Sequence, residues 1–274
     1  MTIEQIIILA IVQGVTEFLP ISSSGHLILV PYFTGWSDQG VVTDIMVHVG
    51  SLFAVIVYFW RDVLNLIGGF FQLIRGRMTP WARMVLMILI GTIPAVVFAL
   101  YLKKSGLADS LRSIEIIAWT AIGYAILMYL ADRFGPHLKS MEDMTWTPAV
   151  VIGIAQALAL IPGTSRSGVT MTAARALGFE RAEAARFSFL LGIPAIAGAG
   201  LFTVLEFAEA GEPVPPDAIL AAVLTFFSAL AAIAFLMALV KRISFLPFVL
   251  YRLALGAVLL YLAYGGTAQT TVVL

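Results

Sequence analysis

Apolar runs recur along the whole chain, and six are long enough to cross a bilayer: about 42–60, 83–101, 114–131, 187–206, 218–240 and 247–264. They lack the period-two alternation of strands, which favours a helical bundle over a barrel. Two further segments, about 3–30 and 149–178, are apolar at both ends and broken in the middle by Pro, Gly and Ser. Non-helical backbone at membrane depth is tolerated only where protein or a wet cavity surrounds it. Each is therefore expected to be a re-entrant helix–turn–helix and not a plain span.

Loop charge sharpens this topology. Arg61, Arg75, Arg77 and Arg83 lie in the first long connection, and Arg133 and Lys139 precede the second broken segment. Arg175, Arg181 and Arg186 follow it, and Lys241 and Arg242 close the fifth span. With both broken segments re-entrant, all of these share one side, and only Lys103, Lys104 and Arg112 lie opposite. The positive-inside rule makes the first side cytoplasmic. The two broken segments then enter from opposite faces, an inverted-topology pair with a polar site where they meet. The chain reads as one membrane domain, 1–274, with repeat halves of approximately 1–131 and 149–264.

The broken segments are related in sequence. Overlaying Gln13 to His26 on Gln156 to Val169 without a gap places Gln13 on Gln156, Ser22 on Ser165, Ser24 on Ser167 and Gly25 on Gly168. The charged positions differ. Glu17 and His26 in the first copy face Leu160 and Val169 in the second, and Arg166 in the second replaces Ser23 in the first. Such a pair builds one site from two unlike halves.

Composition agrees with a membrane protein: 61% of the 274 residues are hydrophobic and 12% charged, and the mean hydropathy is +1.00. A soluble domain is nearer half apolar and a quarter charged. The net charge is zero, with no basic stripe for nucleic acid, and cysteine is absent, which excludes thiol chemistry. The N-terminus has no cationic n-region, so no cleaved signal peptide is expected. Nucleotide-loop and zinc-protease patterns are missing.

Glu17, one turn from Gln13 in an apolar helix, is either a snorkelling helix-end carboxylate or a general base or divalent-cation ligand. His26 is a helix-start histidine or a proton carrier for a neighbouring serine. Arg166, flanked by Ser165 and Ser167, suits a phosphate oxyanion, and it also suits an ion pair to Glu17 or Asp44. Ser22, Ser24, Ser165 and Ser167 look like a repeated device that caps the broken helices and donates to phosphate. Asp44 and His48, four apart, could line the same cavity, with Asp44 a second candidate for the metal. Gln13 and Gln156 belong to the pocket.

Gln13 to His26 and Pro162 to Gly168 together resemble the two signatures of the undecaprenyl-pyrophosphate phosphatases, the bacitracin-resistance phosphatases of bacterial inner membranes. Asp44 to Trp60 and Lys241 to Arg252 also resemble family segments, so the likeness covers essentially the whole chain. The resemblance implies removal of one phosphate from a polyprenyl pyrophosphate, recycling the lipid carrier of cell-wall synthesis. It also implies a divalent cation, magnesium or calcium, and a site opening to the periplasm. The family's first acidic position is Gln13 here, which concentrates the carboxylate role on Glu17. Ser23 or a water is then the nucleophile, with His26 as its base and Arg166 on the phosphate. A lipid transporter or flippase is the alternative, since inverted broken helices also build transporters.

Overall fold

A computed structural model describes residues 1–210 and 214–265. Among them the regular structure is helical, with one isolated bridge between Lys139 and Phe179. The first broken segment forms α1 (Ile3–Phe18) and α2 (Ser23–Thr34), and the second forms α8 (Trp146–Leu158) and α9 (Arg166–Ala176). Between them lie α3 (Gly40–Tyr58), α4 (Trp60–Ile74), α5 (Pro80–Ser105), the short α6 (Leu107–Ser110) and α7 (Ile114–Phe134). After them come α10 (Arg181–Ala210), α11 (Pro216–Leu239) and α12 (Leu246–Gly265). Six of these, α3, α5, α7, α10, α11 and α12, are long and apolar enough to cross a membrane, and they coincide with the six runs expected from the sequence.

Local chemistry sets the ends. Thr2 and Gln5 form a capping box at the start of α1. Thr79 caps α5 through Ala82 N at 3.2 Å, with Pro80 in the first turn, and Gly106 ends it in the left-handed region. One element departs from expectation. The stretch after the first span reads in the sequence as a charged connection, yet it folds into α4. Apolar residues recur at Val63, Ile67, Phe70, Phe71 and Ile74, a helical spacing that the flanking arginines mask. Asp62 in its first turn receives Arg186 Nε at 3.0 Å, which anchors the helix to α10.

Contacts fix the direction of each hairpin. The Met1 ammonium lies 2.7 Å from Asp217, and Ser228 donates to the Ala10 carbonyl at 2.7 Å, so α1 runs parallel to α11. The α11 chain ends just before Phe245, whose N–H donates to Asp132 at the end of α7. That end also holds the start of α8, because Met141 N donates to Glu183 of α10 and Lys139 joins Gly178. Hence α1 and α8 begin at opposite ends of the bundle. Each hairpin returns towards its start. Met1, Gln5, Pro31 and Trp36 line one small recess, and α9 ends against Lys139.

The α8 end is stapled by Arg175, which is fully buried. It donates to Asp132 Oδ1 at 3.1 Å, to the Pro136 and Gly135 carbonyls, to Phe179 O and to His137 Nε2. Close helix contacts seat each hairpin against a spanning helix. A Cβ on Gly14 would fall 2.0 Å from Ser228 Oγ, and one on Gly153 would fall 2.5 Å from Gly91 O. Any larger residue would push α1 off α11, or α8 off α5.

Candidate active site

The two turns are built alike. Ser22 has φ 80° and Ser165 φ 72°, the only non-glycine residues with positive φ among those described. Such conformations cost about 1–3 kcal/mol each and persist where the surroundings over-determine them. Each serine hydroxyl caps the helix that follows: Ser22 accepts from Gly25 N at 3.4 Å, and Ser165 from Gly168 N at 3.1 Å. Each also meets the serine two places on, at 3.4 Å for Ser22–Ser24 and 3.3 Å for Ser165–Ser167. Of the four serines, Ser22 and Ser165 cap the helices that follow, and Ser24 and Ser167 are their hydroxyl partners. Ser167 does more, donating to the carbonyls of Glu17 at 3.0 Å and Leu19 at 3.3 Å, so one half caps the broken end of the other half's helix.

Glu17 stands at the junction, 5% exposed. Its Oε1 receives Arg166 at 2.8 Å. Its Oε2 receives Ser23 Oγ at 2.6 Å and Gln13 Nε2 at 3.1 Å. The ion pair anticipated between Arg166 and Glu17 therefore coexists with a site containing a serine hydroxyl. Arg166 also donates to Ser188 O at 3.3 Å, and its guanidinium lies flat on α10 where Gly192 leaves room; a Cβ there would be 1.9 Å from a guanidinium nitrogen.

His48 joins this group with Nε2 3.4 Å from Glu17 Oε2. Its Nδ1 contacts the Asp44 carbonyl at 2.6 Å. A ring nitrogen bonded to a carbonyl carries the proton, which leaves Nε2 as an acceptor in the neutral ring. His48 Nε2 and Glu17 Oε2, 3.4 Å apart, are then two neighbouring acceptors. Among the described residues no three His, Asp or Glu side chains cluster. The remaining oxygen donors are amides: Gln13 Oε1 and Gln156 Oε1 are buried without a partner. The donor set fits a divalent ion that takes further ligands from a phosphate.

Two expectations need correction. The Asp44 carboxylate is not in the group. Its Oδ1 accepts from Gln39 at 2.7 Å, and only its backbone carbonyl reaches the site, through His48. His26 does not hydrogen bond Ser23. Its Nδ1 lies 2.6 Å from Ser22 O and its Nε2 2.6 Å from Tyr251 Oη, so both nitrogens are occupied. Three-residue spacing alone would set the two side chains side by side, but Ser23 turns to Glu17 and His26 turns to α12, where it stacks on Tyr251 with ring centroids 5.8 Å apart.

Glu17, Ser23, Ser24, His48, Gln156 and Arg166 are among the residues lining a cavity of about 340 Å³. Ala95, Ile196 and Ala199 give it an apolar wall. It lies along the later halves of α5 and α10, towards the bundle end opposite Arg83 and Arg181.

The sequence reading gave no role to Gly192, to the Thr170–Ser188 hydroxyl pair at 2.6 Å, or to Tyr251 and Arg252. Arg252 did carry a signal: a lone arginine in the apolar α12.

The bundle and its buried ion-paired junction define a polytopic helical membrane protein with a hydroxyl–carboxylate–guanidinium site between two broken helices. The chain belongs to the family described as bacitracin resistance protein BacA, whose family model matches residues 6–258. It is 52% identical to the undecaprenyl-diphosphatase of Erythrobacter litoralis, over 95% of this chain and 99% of that one. It is 48% identical to the undecaprenyl-diphosphatase of Jannaschia sp., over 96% of this chain and all of that one. Undecaprenyl-diphosphatase 1 of Rhodospirillum rubrum is 46% identical, with 97% of each chain covered.

Proposed function

We propose that this protein is an undecaprenyl-diphosphatase, hydrolysing undecaprenyl diphosphate to undecaprenyl phosphate and inorganic phosphate. Family membership supports the substrate. The observation that carries the chemistry is the Glu17 carboxylate, which holds the Ser23 hydroxyl on one oxygen and the Arg166 guanidinium on the other.

Phosphoryl transfer needs an aligned nucleophile and stabilisation of charge on the phosphoryl oxygens. The diphosphate headgroup enters the cavity and draws Arg166 onto its terminal phosphate. Ser23 Oγ attacks the terminal phosphorus as Glu17 takes the hydroxyl proton, and the bond to the bridging oxygen breaks, releasing undecaprenyl phosphate. Water then attacks the phosphoserine, giving up a proton as the Ser23 oxygen recovers one, and inorganic phosphate leaves. Ser24, Ser165 and the free N–H groups opening α2 and α9 bind the anion. His48, the Gln156 amide oxygen and Glu17 Oε1, the oxygen that Arg166 vacates and that does not take the Ser23 proton, would hold a divalent cation, Mg²⁺ or Ca²⁺. When bound, it neutralises phosphate charge. His26 holds the strained Ser22 carbonyl in place and is not the base.

The two hairpins enter the membrane from opposite faces as re-entrant segments, making halves 1–131 and 149–264 an inverted repeat within one membrane domain. Because the cavity lies away from the basic loops, the active site opens to the periplasmic side of the bacterial inner membrane. The prenyl tail stays in lipid while the headgroup reaches Glu17. The relatives are named for hydrolysis, and the transporter alternative is set aside. Overproduction in a bacitracin-sensitive bacterium tests the reading: wild type should raise survival on bacitracin and Glu17→Gln should not. Equal survival would contradict it.

A further inference from the structure

Arg252 is completely buried in α12, and among the described residues no carboxylate lies within ion-pair distance of it. A guanidinium has five N–H donors, and all five are used on backbone carbonyls. Nε donates to Ala121 O at 3.2 Å. One terminal nitrogen donates to Pro20 O at 3.3 Å and Thr164 O at 3.0 Å. The other donates to Thr120 O at 3.4 Å and Gly163 O at 2.9 Å.

These carbonyls come from three places. Pro20 belongs to the turn between α1 and α2, which presents Ser23. Gly163 and Thr164 belong to the turn between α8 and α9, which presents Arg166. Thr120 and Ala121 belong to α7, the helix that backs both. The second turn is also pressed onto α7, where Thr120 Oγ1 donates to Pro162 O at 2.8 Å and a Cβ on Gly163 would lie 2.6 Å from Ile117 O. Helix α12 thus meets both turns from behind, on the side away from the cavity. Among the described residues, Arg252 is the one side chain that bonds both turns at once through their backbones.

We propose that Arg252 is a positioning residue: its guanidinium fixes the two turns relative to each other and so sets how Ser23 and Arg166 address one phosphate. The assignment rests on the proposed hydrolysis for its catalytic consequence, but the geometric claim stands apart from it. Lysine cannot substitute. An ammonium has three donors in a compact group, so at least two of the five carbonyls lose their partner and no planar fork spans both turns.

Two measurements on Arg252→Lys and Arg252→Met test this. The first needs no turnover. Nitroxides on cysteines introduced at the exposed Phe33 and Leu158, in a chain free of cysteine, report the spacing of the two hairpins by pulsed electron resonance. The wild-type background should give one narrow distance distribution, and the variants should broaden or shift it. The second is the split of kinetic constants: kcat per folded molecule should fall about 30-fold or more, with KM moving less than about threefold. An unchanged distance distribution, or kcat within about threefold of wild type, would overturn the proposal. If Arg252→Met does not fold, Arg252→Lys decides. If neither yields monodisperse protein, Arg252 is a folding residue and the proposal fails. Inactive wild type with broadened variant distances would instead count against the hydrolase reading and leave the geometric assignment standing.

Discussion

Ser23 Oγ lies 2.6 Å from Glu17 Oε2, and the carboxylate, not the His26 imidazole, is the group placed to take its proton. Residues that act as one unit lose function together. Ser23→Ala and Glu17→Gln should each lower kcat by about a thousandfold, and the double variant should be hardly worse than either. Multiplying losses in the phosphate-release assay would contradict the pair.

His26→Gln should behave differently. Both ring nitrogens are engaged by Ser22 O and Tyr251, which places the histidine to support a turn. Its loss should cost about tenfold in kcat and multiply with the loss from a distant variant. The pH–rate profile should keep its shape. Disappearance of one limb would restore His26 as the base.

Arg166 depends on Gly192. A methyl group at 192 would sit 1.9 Å from a guanidinium nitrogen, so Gly192→Ala should displace Arg166 without touching substrate. We expect a loss of about 100-fold, comparable with Arg166→Lys, which keeps charge but not the fork. Near-normal activity of Gly192→Ala in a kinetic assay would show that the guanidinium works from another position.

At the α8 end, Arg175 and Asp132 are both buried. Arg175→Met leaves Asp132 with Arg181 and the Phe245 N–H and should destabilise the protein by about 3–5 kcal/mol. Thermal unfolding in detergent checks this, and an unchanged midpoint would show the staple to be dispensable.

His137, in the loop beside it, accepts from Arg175 at 2.9 Å. Desolvation and the Arg175 and Arg181 charges hold its pKa below the ordinary value. A histidine lowered on folding is protonated more readily in the unfolded chain. Stability is therefore unaffected well above about pH 6.5 and falls as pH drops below it. His137→Gln should flatten that slope in melts between about pH 7.5 and 5; an identical slope would assign the dependence to other groups.

The spans were legible because twenty-residue apolar runs have few alternatives in a bilayer. The repeated Ser-x-Ser-Gly was legible because the same backbone problem, starting a helix after a break, was solved twice with the same residues. Glu17, Arg166 and the four capping serines could be assembled from that repeat and the cost of buried charge. The partners of His26 and Asp44 could not. They depend on which way a helix face turns, towards Tyr251 in one case and Gln39 in the other, and neither partner shares a motif with them. Arg252 escaped for a related reason: its partners are backbone carbonyls, which leave no trace in the side-chain sequence. Helix α4 was hidden by arginines that dominate its flanks.

The central claim is that the two turns form one diphosphate-cleaving site. Purified protein given undecaprenyl diphosphate, with and without a chelator, tests it most directly. One inorganic phosphate should be released per undecaprenyl phosphate formed, suppressed by chelation and lowered about a thousandfold in Ser23→Ala and about 100-fold in Arg166→Lys. No phosphate release by wild-type protein, or full release by both variants, would contradict it.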